Sequence, residues 1–211
     1  MSRHHPKDMT LAEFAAGTLD EGRSLVVATH LALCGQCRGF VAALEDVGGA
    51  MLDSVEPAAM SADALTRTLE RLTPGEAGRK AATNDGVWSP ERAELLGYRL
   101  GPWRWVSPGL HYRAVDVPST RDSRVFMLKA APGLKLPAHR HTGTELTCVL
   151  AGAFIHEGGR YGAGDCDDAD HDDGHSPVID MGEECVCLVA MQGQIRFTSM
   201  LGRMIQPFVR L

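Results

Sequence analysis

Between residues 73 and 91 the hydrophobic pattern of this chain changes period, and the change limits it to a two-part architecture. Before the break, apolar residues recur every three to four positions, as one face of a helix requires. Residues 8–17, DMTLAEFAAG, predict a short helix stopped at Gly17. A second helix over 19–34, LDEGRSLVVATHLALC, places acidic residues in its first turn, where the helix dipole favours them. Residues 38–52 space Phe40, Leu44, Val47 and Met51 along one stripe. After Ser61, read as an N-cap, Leu65, Leu69 and Leu72 form another. Beyond the break the period falls to two. Residues 102–117 read as strand, Ser-Pro-Gly turn, strand. Further short apolar runs start at Arg124, Leu146, Ala153, Glu184 and Ile195, with glycine turns between them. Short strands at regular spacing predict a sandwich or a small barrel.

The seam itself, residues 74–90 (PGEAGRKAATNDGVWSP), has two prolines, three glycines and little periodicity, so it reads as a linker. The resulting division is a helical domain over 1–73, a linker over 74–90 and a β domain over 91–211. Such a linker lets the two parts act semi-independently. The composition is that of a globular protein, 44% apolar and 23% charged over 211 residues. No apolar run approaches the roughly 18 residues of a membrane span. The polar N-terminus lacks the apolar stretch of a signal peptide, so a cytoplasmic location and reduced thiols are expected. A net charge of −6 argues against nucleic-acid and membrane binding and favours a basic protein partner.

Two groups of residues carry metal-binding chemistry. In HLALCGQC, residues 30–37, His30 and Cys34 lie four apart on a predicted helix and share a face. Cys37 follows just past its end, where the chain can turn back. Imidazole and thiolate are preferred zinc donors, and a fourth ligand is available from His4 or His5. A Cys-x2-Cys pair also serves thioredoxin-like redox chemistry, but that motif belongs in a βαβ setting, which this sequence does not predict. Inert buried cysteines are the remaining alternative. A helical domain this small has a thin core, so a metal would contribute substantially to its folding.

These residues carry a resemblance. His5 followed by His30-x3-Cys34-x2-Cys37 in a helical N-terminal segment resembles the zinc-binding anti-sigma domain, and AAGTLDEGRSLVVATHLALCGQCR is similar to the ChrR-type anti-sigma family. The resemblance implies one zinc held by His5 (rather than His4), His30, Cys34 and Cys37.

The second group lies in GLKLPAHRHTGTELTCVLAG, residues 133–152. His139 and His141, two apart on a strand, point to one face, and Glu145 starts the next strand. Two imidazoles and a carboxylate inside a barrel make a metal site with room for a fourth donor. The string resembles the first cupin motif, Gly-x5-His-x-His-x3-Glu-x6-Gly, at every fixed position. The second cupin motif supplies a further histidine, and counting back eleven residues to Gly164 selects His175 over His171. Asp170, Asp172 and Ile179 stand where that motif has Pro, Gly and Asn, so residues 165–173 read as an acidic loop unlike the usual one. The resemblance therefore implies a cupin (double-stranded β-helix) fold and a second metal, also zinc, held by His139, His141, Glu145 and His175. Cys148, Cys166, Cys185 and Cys187 read as small buried hydrophobes.

Two function classes fit. One is a cupin metalloenzyme, dioxygenase-like, with a helical accessory. The other is a non-enzymatic regulator. Residues 1–73 hold ten Asp/Glu against six Lys/Arg, and their last two helices carry more apolar surface than four short helices can bury. Acid-rimmed apolar surface suits a basic, partly apolar partner. The resemblance implies that the partner is an extracytoplasmic-function sigma factor, released on exposure to singlet oxygen or related oxidants.

Overall fold

The computed structural model describes residues 2–72, 98–118, 123–170 and 174–198. The expected linker at 74–90, the alternative ligand His171 and the C-terminal residues from 199 onward lie outside the described residues.

Four helices come first: α1 (Asp8–Ala15), α2 (Glu21–Leu33), α3 (Gly35–Asp53) and α4 (Ala64–Arg71). The chain leaves α1 through Gly17, whose φ of +68° is the left-handed conformation expected of a terminating glycine. Asp20 caps α2 by accepting the Arg23 N–H at 3.1 Å. Cys34 then adopts an extended conformation, φ −111° and ψ 106°, and separates α2 from α3 with a bend of 118°. The N-cap of α4 is Asp63, not Ser61. The Ser61 carbonyl instead accepts the Ala64 N–H in the preceding turn.

Twelve strands follow: β1 (Arg99–Leu100), β2 (Arg104–Ser107), β3 (Leu110–Asp116), β4 (Ser123–Ala130), β5 (His139–His141), β6 (Glu145–Ala151), β7 (Ala153–His156), β8 (Gly159–Gly162), β9 (Cys166–Ala169), β10 (Val178–Ile179), β11 (Cys185–Gln192) and β12 (Ile195–Phe197). The large sheet runs β1-β3-β4-β11-β6-β9, with β2 paired to β3. Opposite it, β10-β7-β8 and β12-β5 are joined by isolated bridges at Lys135–Val178 and His139–His175 into a second layer. The result is the expected all-α segment followed by an all-β cupin barrel. Of residues 165–173, read as a loop, Cys166–Ala169 instead form β9 at the edge of the large sheet, paired antiparallel with β6 and buried at both end residues.

The central strands are buried on both faces, which is why they read as continuous apolar runs. From β11, Cys187, Val189 and Met191 point into the barrel with Phe126, Val149 and Phe154. Their neighbours Leu188 and Ala190 point outward and join Val125, Met127, Leu146 and Cys148 under Leu25, Val26, Val27 and Leu31 of α2. The helical segment thus does not stand apart: α1, α2 and the first turns of α3 share a core with the sheet. The expected stripes on α3 and α4 stay at the surface. Only Cys37 and Val41 of α3 are buried, α4 buries nothing, and Met51 and Leu69 are 67% and 55% exposed.

This division predicts opposite responses to truncation. Leu188→Ala, at the fully buried contact with the helices, should cost about 2–5 kcal/mol in urea unfolding. Leu69→Ala on α4 should stay within about 0.5 kcal/mol of the parent.

Candidate functional site

The break at Cys34 builds the first cluster. It sets His30, in the last turn of α2, against Cys37, in the first turn of α3, with His30 Nε2 3.3 Å from Cys37 Sγ. The segment preceding α1 crosses over this corner and brings His5 Nδ1 to 3.5 Å from Cys34 Sγ and 3.3 Å from Cys37 Sγ. His4 is not part of the group; its ring stacks on Tyr161 at 4.0 Å. Zinc with nitrogen at ~2.0–2.1 Å and sulfur at ~2.3 Å has tetrahedral N–S edges of roughly 3.6 Å, close to these separations. His30 Nδ1 donates to the Gly164 carbonyl at 2.8 Å, which leaves Nε2 as a bare lone pair facing the cluster. Burial lowers the His30 pKa and keeps the ring neutral. Burial, with the neighbouring Cys34, pushes the Cys37 thiol up to about 12.

The second cluster lies inside the barrel. His139 and His141 are the two ends of β5, on one face, and β12 holds the strand by pairing with it at Phe197 and Ile195. His175 is fixed opposite by reciprocal backbone bonds with His139, of 3.0 and 2.9 Å. His175 Nε2 lies 3.0 Å from His139 Nε2 and 3.3 Å from His141 Nε2. His139 Nδ1 donates to the Pro137 carbonyl at 2.7 Å, so its Nε2 faces the others unprotonated. A cation at the centre lets three such nitrogens converge, and Nδ1 of His141 is buried without a hydrogen-bond partner. Glu145 joins at one side: its Oε2 is 3.5 Å from His141 Nε2, and its Oε1 accepts from Thr147 at 3.2 Å.

Burial lowers the pKa of His139 and His141. Burial and the other two imidazoles take His175 to about 4, so all three rings are neutral ligands at neutral pH. Burial raises Glu145 to about 7. Beside the cluster is a cavity of about 240 Å³, walled by Phe126, Leu128, Phe154, Ile179 and Val189. The Cys185 and Cys187 thiols, 3.6 Å apart, also line it. Both groups could therefore bind a metal: His5, His30, Cys34 and Cys37 in one, and His139, His141 and His175, with Glu145 alongside, in the other.

Residues 97–195 match the family described as the ChrR cupin-like domain. The anti-sigma-E factor ChrR of Cereibacter sphaeroides is 39% identical over 210 residues, 99% of each chain. This chain belongs to the ChrR family of anti-sigma factors. A crystal structure of Rhodobacter sphaeroides SigE in complex with the anti-sigma ChrR matches with a TM-score of 0.76 and 38% identity, over 91% of this chain and all of that one.

Within this ChrR-family fold, sequence reasoning missed the residues around the clusters. Asp165 and Asp168 were counted only as loop charge, yet Asp165 is 5% exposed and accepts three backbone N–H groups. Asp168 accepts from the Lys7 N–H and the Thr10 hydroxyl. His156, with its Nε2 3.1 Å from Asp167, and Tyr161 carried no spacing signal at all.

Metal uptake should release protons at both clusters, from a different group in each. Cys37 is protonated at neutral pH, so the helical cluster should release at least one proton per metal there. In the barrel the histidines are already neutral, so Glu145 supplies the proton. Cupin metal affinity should therefore fall as pH drops below about 7. Calorimetry in buffers of different ionisation heat, on the parent chain and on Cys34→Ala, which isolates the barrel site, measures both; barrel affinity independent of pH between about 5 and 7 would contradict the assignment.

Proposed function

We propose that this chain is a cytoplasmic, zinc-dependent anti-sigma factor. Residues 1–73 bind and inhibit an extracytoplasmic-function sigma factor; residues 91–211, reached through the linker at 74–90, sense singlet oxygen or a related oxidant. The observation that carries the reading is the apolar surface of α3 and α4 that the described residues leave uncovered. Val47, Met51, Leu52, Leu65, Leu69 and Leu72 are all exposed, with Glu45, Asp46 and Asp53 beside them on α3 and Glu70 on α4. An eight-residue helix that buries nothing is marginal alone, so α4 gains its stability from what it binds. A sigma factor offers a basic, partly apolar surface because it must bind promoter DNA, and an acid-rimmed apolar face occludes it.

The helical zinc, held by His5, His30, Cys34 and Cys37, is structural: four protein ligands leave no open position. It fixes the corner from which α3 departs. Cys34→Ala or His30→Ala should abolish partner binding and lower zinc by about one per chain, by metal analysis and co-purification with host sigma factors. Full binding by metal-free Cys34→Ala would contradict this. On the partner face, Leu69→Asp should weaken binding at least about tenfold without moving the thermal midpoint.

The barrel zinc, on His139, His141, Glu145 and His175, serves as a sensor and not as a turnover site. Zinc supplies Lewis acidity but no redox chemistry, and four ligands fill its tetrahedron. Oxidation of a ligand imidazole would then release the metal and loosen the barrel. His141→Ala or Glu145→Ala should keep inhibition intact while blunting release by singlet oxygen in a reporter assay. The 240 Å³ cavity beside the cluster favours one second reading, a cupin metalloenzyme. Tightly bound iron, or oxygen consumption lost in His141→Ala, would establish that reading instead.

A further inference from the structure

The turn between β8 and β9 touches a ligand of the helical cluster, and β8, which leads into it, is linked to the barrel cluster through stacked rings. On one side its Gly164 carbonyl accepts from His30 Nδ1 at 2.8 Å and from the Ser2 hydroxyl at 3.1 Å. The carboxylate of Asp165 accepts the Arg3 N–H at 2.6 Å and the His4 N–H at 3.2 Å on Oδ1, and the Gly162 N–H at 2.9 Å on Oδ2. The next residue, Cys166, donates its N–H to the His4 carbonyl at 3.1 Å. His5, one residue on from this clamp, is thereby held over Cys34 and Cys37. The approach is close enough to need glycine: Gly164 has φ +87°, and a Cβ there would lie 3.1 Å from Ser2 Oγ and 3.4 Å from Leu33 Cβ.

On the other side, Tyr161 of β8 and His156 of its partner β7 reach the barrel cluster through a series of rings. His4 lies on Tyr161 at 4.0 Å, Tyr161 on His156 at 4.7 Å, and His156 meets His175 at 5.6 Å. The Asp167 carboxylate of β9 lies beside His156, 3.1 Å from Nε2.

We propose that the β8–β9 turn is a positioning element for the helical metal cluster, with Asp165 as its anchor, and that retention of the two metals is linked through it. The inference rests on the reading of both clusters as metal sites. Groups that orient metal ligands from outside the first coordination sphere typically change metal affinity 10- to 100-fold when removed. Here those groups come from the cupin rather than from the helices. Loss of the barrel metal frees His175, and the ring stack passes that freedom to the turn that holds His30 and His5. The direction is reciprocal, since a coupling free energy acts equally on both sites.

The test uses the full chain loaded with cobalt(II) in place of zinc. Only the helical cluster, with its two cysteines, gives a thiolate-to-cobalt charge-transfer band, and the decay of that band on adding EDTA reads its metal release alone. Asp165→Ala should speed decay about tenfold or more, and Asp165→Asn, which keeps an acceptor for the Arg3 and His4 N–H groups, should fall between. His175→Ala, remote from the cysteines, should speed decay at least twofold. That effect should vanish when Tyr161→Leu breaks the stack. Wild-type decay in Asp165→Ala overturns the positioning role, as does equal loss of both metals in Asp165→Ala with a wild-type rate in Asp165→Asn. An unchanged rate in His175→Ala overturns the linkage. Absence of the band from the wild-type chain overturns the metal reading itself, and so separates its failure from that of the coupling.

Discussion

The burial of α2 against the outer face of the large sheet is the constraint on which the remaining structure depends. Val26, Val27 and His30 have no exposed surface, with β4, β6 and β11 on one side and α1 and α3 on the other. A helix fixed this way presents its C-terminal end at one place. His30 sits at that end, and the extended residue Cys34 follows it, so apolar packing places the α2 side of the corner on which the first cluster is built. The same packing makes the strands beneath apolar on both faces. It also brings the β8–β9 turn within hydrogen-bonding distance of the N-terminal segment.

Beyond Val41 the balance of forces reverses. The rest of α3, and all of α4, hold apolar side chains that the described residues leave uncovered. Burial of apolar surface stabilises by about 25 cal/mol per Å², so several exposed leucines and methionines represent a large unused driving force. Placing it on helices that project from a rigid, clustered corner gives a partner both area and a fixed direction of approach. The barrel keeps its own apolar surface inside and presents three neutral imidazoles around one point. The exposed helical face and the barrel interior are therefore separate surfaces, on either side of the core that α2 shares with the large sheet.

Much of this was legible in the residues. Periodicity located the four described helices and the long strands; His30, Cys34 and Cys37 come together as their spacing implied, and His5 joins them as the family resemblance implied. His139, His141 and His175 do so as well, the last selected by its distance from Gly164. What the sequence hid was tertiary. Asp165 looks like one charge in an acidic run, and only the fold shows it buried under the backbone of residues 3 and 4. The apolar pattern of α2 is the same whether it faces helices or a sheet, so the shared core could not be read from it. Ser61 has the chemistry of an N-cap, but the turn before α4 uses its carbonyl, and the helix starts two residues later than a capping serine would place it. β9 escaped notice because its half-buried acids, Asp167 and Asp168, read as loop charge, and Cys166 and Ala169, three apart, give no period-two signal.

The most direct test of the account is hydrogen exchange on the full chain, alone and bound to the sigma factor with which it co-purifies. Amides of residues 42–72 should exchange fast in the free chain, where their side chains have no cover, and gain strong protection in the complex. Amides of β5, β7 and β10, in the barrel layer remote from the helices, should be unchanged. Protection confined to the barrel, with residues 42–72 exchanging as before, would contradict the claim that these helices are the inhibitory surface.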